Sequence, residues 1–101
     1  MDTVELSVLF YEDGDVWVAQ AIEADIVATA SSLVMLPRAI ERAIIANIAA
    51  NADLGRNGLE GIPPAPLEVR ERFEKSTFEF RERHPDPRPR KVGLCDIRLA
   101  A

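Results

Sequence analysis

A chain of 101 residues has room for one domain and no more. Its 48% hydrophobic and 29% charged residues exclude the disordered, collagen-like and coiled-coil classes. Seventeen acidic residues against twelve basic ones give a formal charge of −5. That balance disfavours direct binding of DNA or RNA, whose phosphates are neutralised by Lys and Arg, and suits a basic protein partner.

The first residues that alternate are Val4 to Tyr11. Val4, Leu6, Val8 and Phe10 fall on one side, Glu5 and Ser7 on the other, which predicts a half-buried strand. Glu12-Asp13-Gly14-Asp15 is a tight-turn sequence with Gly14 free to take positive φ. Val16 to Ile22 alternates again, with Val16, Val18 and Ile22 on one face and Trp17, Ala19 and Ala21 on the other. Two such runs around an Asp-Gly turn predict an antiparallel hairpin. After Glu23-Ala24-Asp25, Ile26 to Ala30 reads as a short third strand.

Ser31 and Ser32 are N-cap residues for a helix over Leu33 to Ala52, in which Leu36, Ile40, Ala43, Ile44 and Ile48 recur at helical spacing. Pro37 implies that this helix starts near Leu36 or opens with a kink. Gly55 suits the position just past its end. Arg56 to Pro66 is a Gly- and Pro-punctuated loop. Pro66 opens a predicted second helix running to about Glu82, with Val69, Phe73, Thr77 and Phe80 on its apolar stripe. Phe78 lies off that stripe. Pairs such as Glu68–Arg72 and Glu79–Arg83 sit four apart on the exposed side. Residues 83–90, RHPDPRPR, predict an extended connector, and Val92 to Ala100 a last strand with Gly93, Cys95, Ile97 and Leu99 on one face.

Acid–base or nucleophilic chemistry needs a reactive group beside a tuned partner. His84 sits in the proline-rich connector, where a solvated surface role is expected. Cys95, the single cysteine, alternates with apolar residues and is expected to be a buried thiol. One thiol can build neither a disulfide nor a thiolate-rich metal site. Glu12, Asp13 and Asp15 suit a turn. Glu23 and Asp25 are hard oxygen ligands but too few for a divalent-ion site. The basic residues Arg81, Arg83, Arg88, Arg90 and Lys91 read as a solvated linker, since stacking aromatics do not accompany them. No catalytic, cofactor or metal residue is assigned. The start MDTVELSVLF lacks the basic residues of a signal peptide, and the apolar run Ala43 to Ala52 is broken by Asn47 and Asn51. A cytoplasmic protein with no membrane contact is expected.

The segments Tyr11-Glu12-Asp13-Gly14, Trp17-Val18-Ala19-Gln20 and Glu23-Ala24-Asp25-Ile26-Val27-Ala28, followed by Ser32-Leu33, resemble the HicB-like antitoxin family in order and spacing. Gly61-Ile62-Pro63-Pro64-Ala65-Pro66 and Cys95-Asp96-Ile97-Arg98-Leu99-Ala100 are similar to a stand-alone branch of that family without a DNA-binding module. The resemblance covers nearly the whole chain. It implies a β-β-β-α-β core of partial ribonuclease H-like fold without a nuclease site. It also implies a role in covering a small basic RNA-cleaving toxin.

Together these readings predict an α+β, antiparallel β-β-β-α-(α)-β two-layer domain over residues 1–101. Its core spans 1–54, its loop and second helix 55–83, and its connector and last strand 84–101. Both helices are expected on one face of the sheet. The expected function is non-catalytic protein binding, to a small basic toxin-like protein or to a second copy in a homodimer or larger assembly. The alternative is a stand-alone homo-oligomer that binds a small ligand or another protein. Trp17, Glu23, Asp25 and Phe78 are the expected partner-binding residues, Trp17 and Phe78 because large aromatics left outside the core anchor interfaces.

Overall fold

A computed structural model describes residues 4–76, 78–79 and 92–99. The fold is α+β, as expected. Strands β1 (Val4–Asp13), β2 (Val16–Ala21) and β3 (Val27–Ala30) precede helix α1 (Leu36–Asp53), helix α2 (Leu67–Lys75) and strands β4 (Phe78–Glu79) and β5 (Val92–Leu99). They form one sheet in the order β3-β2-β1-β5-β4.

The hairpin forms where the Asp-Gly turn places it. Gly14 takes φ 62°, a left-handed value that a side chain would strain, and Phe10 pairs with Ala19 across the two strands. β3 then pairs antiparallel with β2, Trp17 opposite Ala30. A 3₁₀ turn over Leu33–Met35 precedes α1, with Pro37 in the helix's first turn, where a missing N–H costs nothing. This resolves the position of Pro37 in favour of a helix starting at Leu36. Ser32 precedes the 3₁₀ turn but makes no side-chain cap bond. Gly55, at φ 76°, ends the helix and donates its N–H to Ala52 O at 3.0 Å.

α1 lays Leu36, Ile40 and Ile44 on Leu6, Val8, Phe10, Ala19 and Ala21, with Trp17, Ala28 and Ala30 packed at the margin. The covered face of β2 is therefore Trp17–Ala19–Ala21, and not the Val16–Val18 side that its larger aliphatic residues suggest. The register with β1 decides this, because Phe10 opposite Ala19 must share its face. Alanines under the helix also let it approach closely.

Four further expectations are corrected. β5 runs parallel to its neighbour β1, so the sheet is mixed where an antiparallel one was expected. A parallel neighbour needs a long crossover, and the chain between β1 and β5 supplies one. A register shift between Leu6 and Ser7 also interrupts the pairing: Leu6 faces Leu94 and Ser7 faces Asp96, which leaves Cys95 out of the register and breaks the single alternation expected there.

The helices do not share a face, so the domain has layers on both sides of the sheet. The Arg72 guanidinium of α2 lies 4.7 Å over the Tyr11 ring, and Phe73 of α2 lies under Arg98, 4.4 Å from ring centre to guanidinium. Tyr11 alternates with Phe10, and Arg98 pairs with Leu9, so both belong to the face opposite α1. Leu9 and Phe10 are adjacent and both fully buried, which only a strand covered on both sides allows.

α2 ends at Lys75, seven residues short of the expected Glu82, and Phe78 stands in a strand opposite Leu99. Ser76 turns the chain to extended backbone (φ −78°, ψ 116°), and Phe78, an aromatic of a β-favouring type, stands in the strand that follows. At the same end Arg98 donates to the carbonyl of Phe73 at 3.1 Å, satisfying a last-turn acceptor. His84 and the basic residues 81–91 lie outside the described residues, as do the side chains of Phe78 and Cys95.

Candidate functional site

Among the described residues, the face of the sheet opposite α1 is only partly covered. α2 crosses its β1–β5 side, where Phe73 and Leu9 are buried. On β2 and β3 a strip runs from Val16 past Val18 and Thr29 to Gln20 and Val27, all on one face by register. Val16 is 40% and Val27 49% exposed, whereas Val18 and Gln20 are buried between them.

A line of polar contacts borders this strip. The Tyr11 hydroxyl donates to Gln20 Oε1 at 2.9 Å, and Gln20 Nε2 donates to Asp25 Oδ1 at 2.9 Å. Arg72 stacks on the outer side of the same tyrosine ring, a contact worth about 0.5–1 kcal/mol at a partly exposed site. Gln20 is buried and its amide has a partner on each side, as a buried amide requires. Asp13, which pairs with Val16, and Asp25 set an acidic rim at the two ends of the strip.

The loop before β3 is fixed from below. Asp25 N–H donates to Pro63 O at 2.7 Å, and Ala65 N–H donates to Ile22 O at 2.9 Å. The segment Gly61 to Pro66 therefore runs along residues 22–25 and holds Asp25 in place. Glu23 closes the end of the hairpin by accepting the Ser7 N–H at 2.7 Å. Asn51, buried at the end of α1, donates to Gly58 O (2.9 Å) and Glu60 O (3.1 Å) and so anchors the start of that loop.

The four expected contact residues separate accordingly. Asp25 borders the strip. Glu23 is exposed nearby with its carboxylate on the Ser7 amide. Trp17 is half-buried on the opposite face against the α1 core. Phe78 lies in β4 at the far edge of the sheet. Sequence reasoning missed Gln20, Tyr11 and Arg72. The available signal was a glutamine between two buried alanines, at a strand position where polar groups are affordable only with partners.

Tyr11 reports the electrostatics of the site. Burial raises its pKa above 10.0, Arg72 opposes that shift, and Asp13 and Asp25 add to it. The folded state thus holds the phenol's proton more tightly than the unfolded chain. The resulting stability is fully present below the unfolded value near 10 and is lost as pH rises through the higher folded value. Tyr11 is the only tyrosine, so ultraviolet absorbance of tyrosinate follows one site. We expect a midpoint above that of the denatured chain, lowered in Asp25→Asn. A folded midpoint at or below the denatured one would contradict this account.

Among the described residues no group of three His, Cys, Asp or Glu side chains is placed to hold a metal ion. Among them, too, no helix is long and apolar enough to cross a membrane. No family model, curated protein or solved structure matches the chain.

Proposed function

We propose that the chain is a non-catalytic cytoplasmic protein-binding module, resembling a HicB-type antitoxin. It takes a small basic toxin-like protein on the strip between Val16 and Val27, and it also self-associates. The observation that carries this reading is the strip itself, exposed valines on a rigid sheet with carboxylates at both ends. An apolar centre with a polar rim is the ordinary anatomy of a protein interface, and the rim's sign selects a basic partner. The net charge of −5 steers such a partner inward over longer distances and disfavours direct DNA contact.

The β-β-β-α order from Val4 to Asp53 supports the family resemblance, since this is the order the resemblance implies. The non-catalytic reading is supported by what the carboxylates do. Glu23 caps a main-chain amide and Asp25 accepts from Gln20, so each is engaged in holding the fold together.

The test is co-expression with a toxin-sized basic protein encoded beside this gene. We expect the two to co-purify, and Asp25→Lys or Val27→Asp to reduce capture at least about tenfold, the effect of one misplaced interface charge. Co-purification unchanged in both variants would move the interface elsewhere, and no association with such a neighbour would remove the antitoxin reading. The stand-alone homo-oligomer is favoured by a different observation, a run of uncharged residues along the edge of the sheet.

A further inference from the structure

We infer that β3 is a dimerisation edge, pairing antiparallel with β3 of a second copy so that two sheets become one. This develops the self-association within the functional reading and rests on it only to that extent.

The first ground is the state of the edge. Among the described strands β3 ends the sheet on one side, with β2 as its one neighbour. Ala21 N–H donates to Ile26 O at 2.9 Å, which makes 21/26 a hydrogen-bonded pair of the antiparallel ladder. Alternation then directs Ala28 and Ala30 toward β2 and turns the N–H and C=O of Val27 and Thr29 outward. Among the described residues none of those four groups has a hydrogen-bond partner.

The second ground is charge. Edge strands are ordinarily guarded by lysine, proline, a bulge or an inward charge. β3 has none of these. Residues 26–37, Ile26 to Pro37, carry no charged side chain in a chain that is 29% charged. Val34 (71% exposed) and Met35 (58%) continue this neutral surface directly beyond the strand. Two copies each bearing −5 repel over most of their surface, and this is a stretch where they can meet without setting like charges together.

The third ground is self-complementarity. A two-fold axis at Ala28 sets Val27 against Thr29 of the second copy, and Thr29 against its Val27. Both pairs are of the hydrogen-bonded kind, so the outward groups of the two copies satisfy one another completely. Ala28 meets Ala28, and Asp25 falls opposite an uncharged serine. An isologous contact of this kind closes as a dimer. A basic partner gains nothing from a neutral edge, whereas a second copy does.

The substitution that tests the pairing is Thr29→Pro. It removes an outward N–H and leaves the bonds to β2 untouched, and proline is tolerated at such an edge position. In sedimentation equilibrium at micromolar to millimolar chain, we expect twice the 11.2 kDa mass of one chain. Two of the inter-chain bonds are lost in Thr29→Pro, so its dimer dissociation constant should rise roughly 10–100-fold. Thr29→Val keeps the N–H and should keep the dimer. Amide exchange at Val27 and Thr29 in the unaltered chain should slow as concentration rises, a readout that holds even if Thr29→Pro fails to fold. A single-chain mass throughout, exchange independent of concentration, or a folded Thr29→Pro dimer of unchanged affinity would each overturn the proposal. A monomeric chain that still captures the basic neighbour would overturn it while leaving the partner-binding reading intact. Loss of capture in Asp25→Lys with the dimer preserved is the expected result.

Discussion

Phe10→Ala should come close to unfolding this protein. Phe10 is the largest fully buried side chain among the described residues, lies on the central strand β1 and packs in one cluster with Ile40 and Ile44 of α1. Its loss removes the transfer free energy of an aromatic ring and leaves a cavity under the helix, together about 3–5 kcal/mol. A domain of this length has about 5–15 kcal/mol in all. The sheet cannot collapse to fill the gap, because β1 is hydrogen-bonded on both sides, to β2 and to β5. We expect a thermal midpoint lower by on the order of 20 °C. Leu54→Ala, at a 69% exposed position, should change stability by no more than about 0.5 kcal/mol. Chemical denaturation of both variants checks the contrast. A loss below about 1 kcal/mol for Phe10→Ala would show that the α1 face is not the main core.

That contrast also separates what local sequence encodes from what it does not. The hairpin was legible because its determinants are neighbours in the chain: two alternating runs and a glycine that takes φ 62° between them. α1 was legible for the same reason, with helical spacing inside and Gly55 beyond. Direction in a sheet is different. The alternation of Val92 to Leu99 is the same whether β5 runs parallel or antiparallel to β1, so the pattern carried no sign. The choice of face on β2 was equally open, since both sides are apolar. Register with β1 settled it in favour of Trp17, Ala19 and Ala21. Val8-Leu9-Phe10 did hold a clue to the second layer. Three successive apolar residues are more than a strand with one wet face needs.

The second helix was over-extended because charged pairs four apart continue past Lys75, through Glu79–Arg83. Such pairs are worth only about 0.2–0.5 kcal/mol each. The tertiary pairing of Phe78 and Glu79 with β5 outweighs them. The same ladder hid Arg72. As a member of a surface series it reads as solvated, yet its guanidinium covers Tyr11. Asp25 was singled out from its charge beside a strand end, whereas Gln20, whose amide holds its carboxylate, was not, because a single glutamine in a strand looks like ordinary polar alternation.

Gln20→Leu is the variant in which that omission becomes measurable. Leucine matches glutamine closely in volume and would lie beside the buried Val18 on the same face, so no cavity accompanies the change. What disappears is the bridge. The Tyr11 hydroxyl loses its acceptor and the Asp25 carboxylate loses a donor, each at 2.9 Å and each in a partly buried setting. Groups left without partners cost more than the bonds themselves were worth, and the expected loss is about 1–3 kcal/mol. The loss should shrink when the stranded partners are removed as well. The triple variant Tyr11→Phe, Gln20→Leu, Asp25→Asn should recover at least half of it, because two of the unmet demands are gone or weakened. If simple loss of packing were responsible, the added substitutions would make matters worse. Capture of a basic partner provides an independent readout. Without Gln20 the Asp25 main chain is still tied through its N–H to Pro63 O, but the carboxylate is free to turn. We therefore expect partner affinity to fall less in Gln20→Leu than in Asp25→Lys, with the dimer through β3 unaffected. Equal losses in the two variants would mean that the orientation of the carboxylate, and not its charge, is what the partner reads.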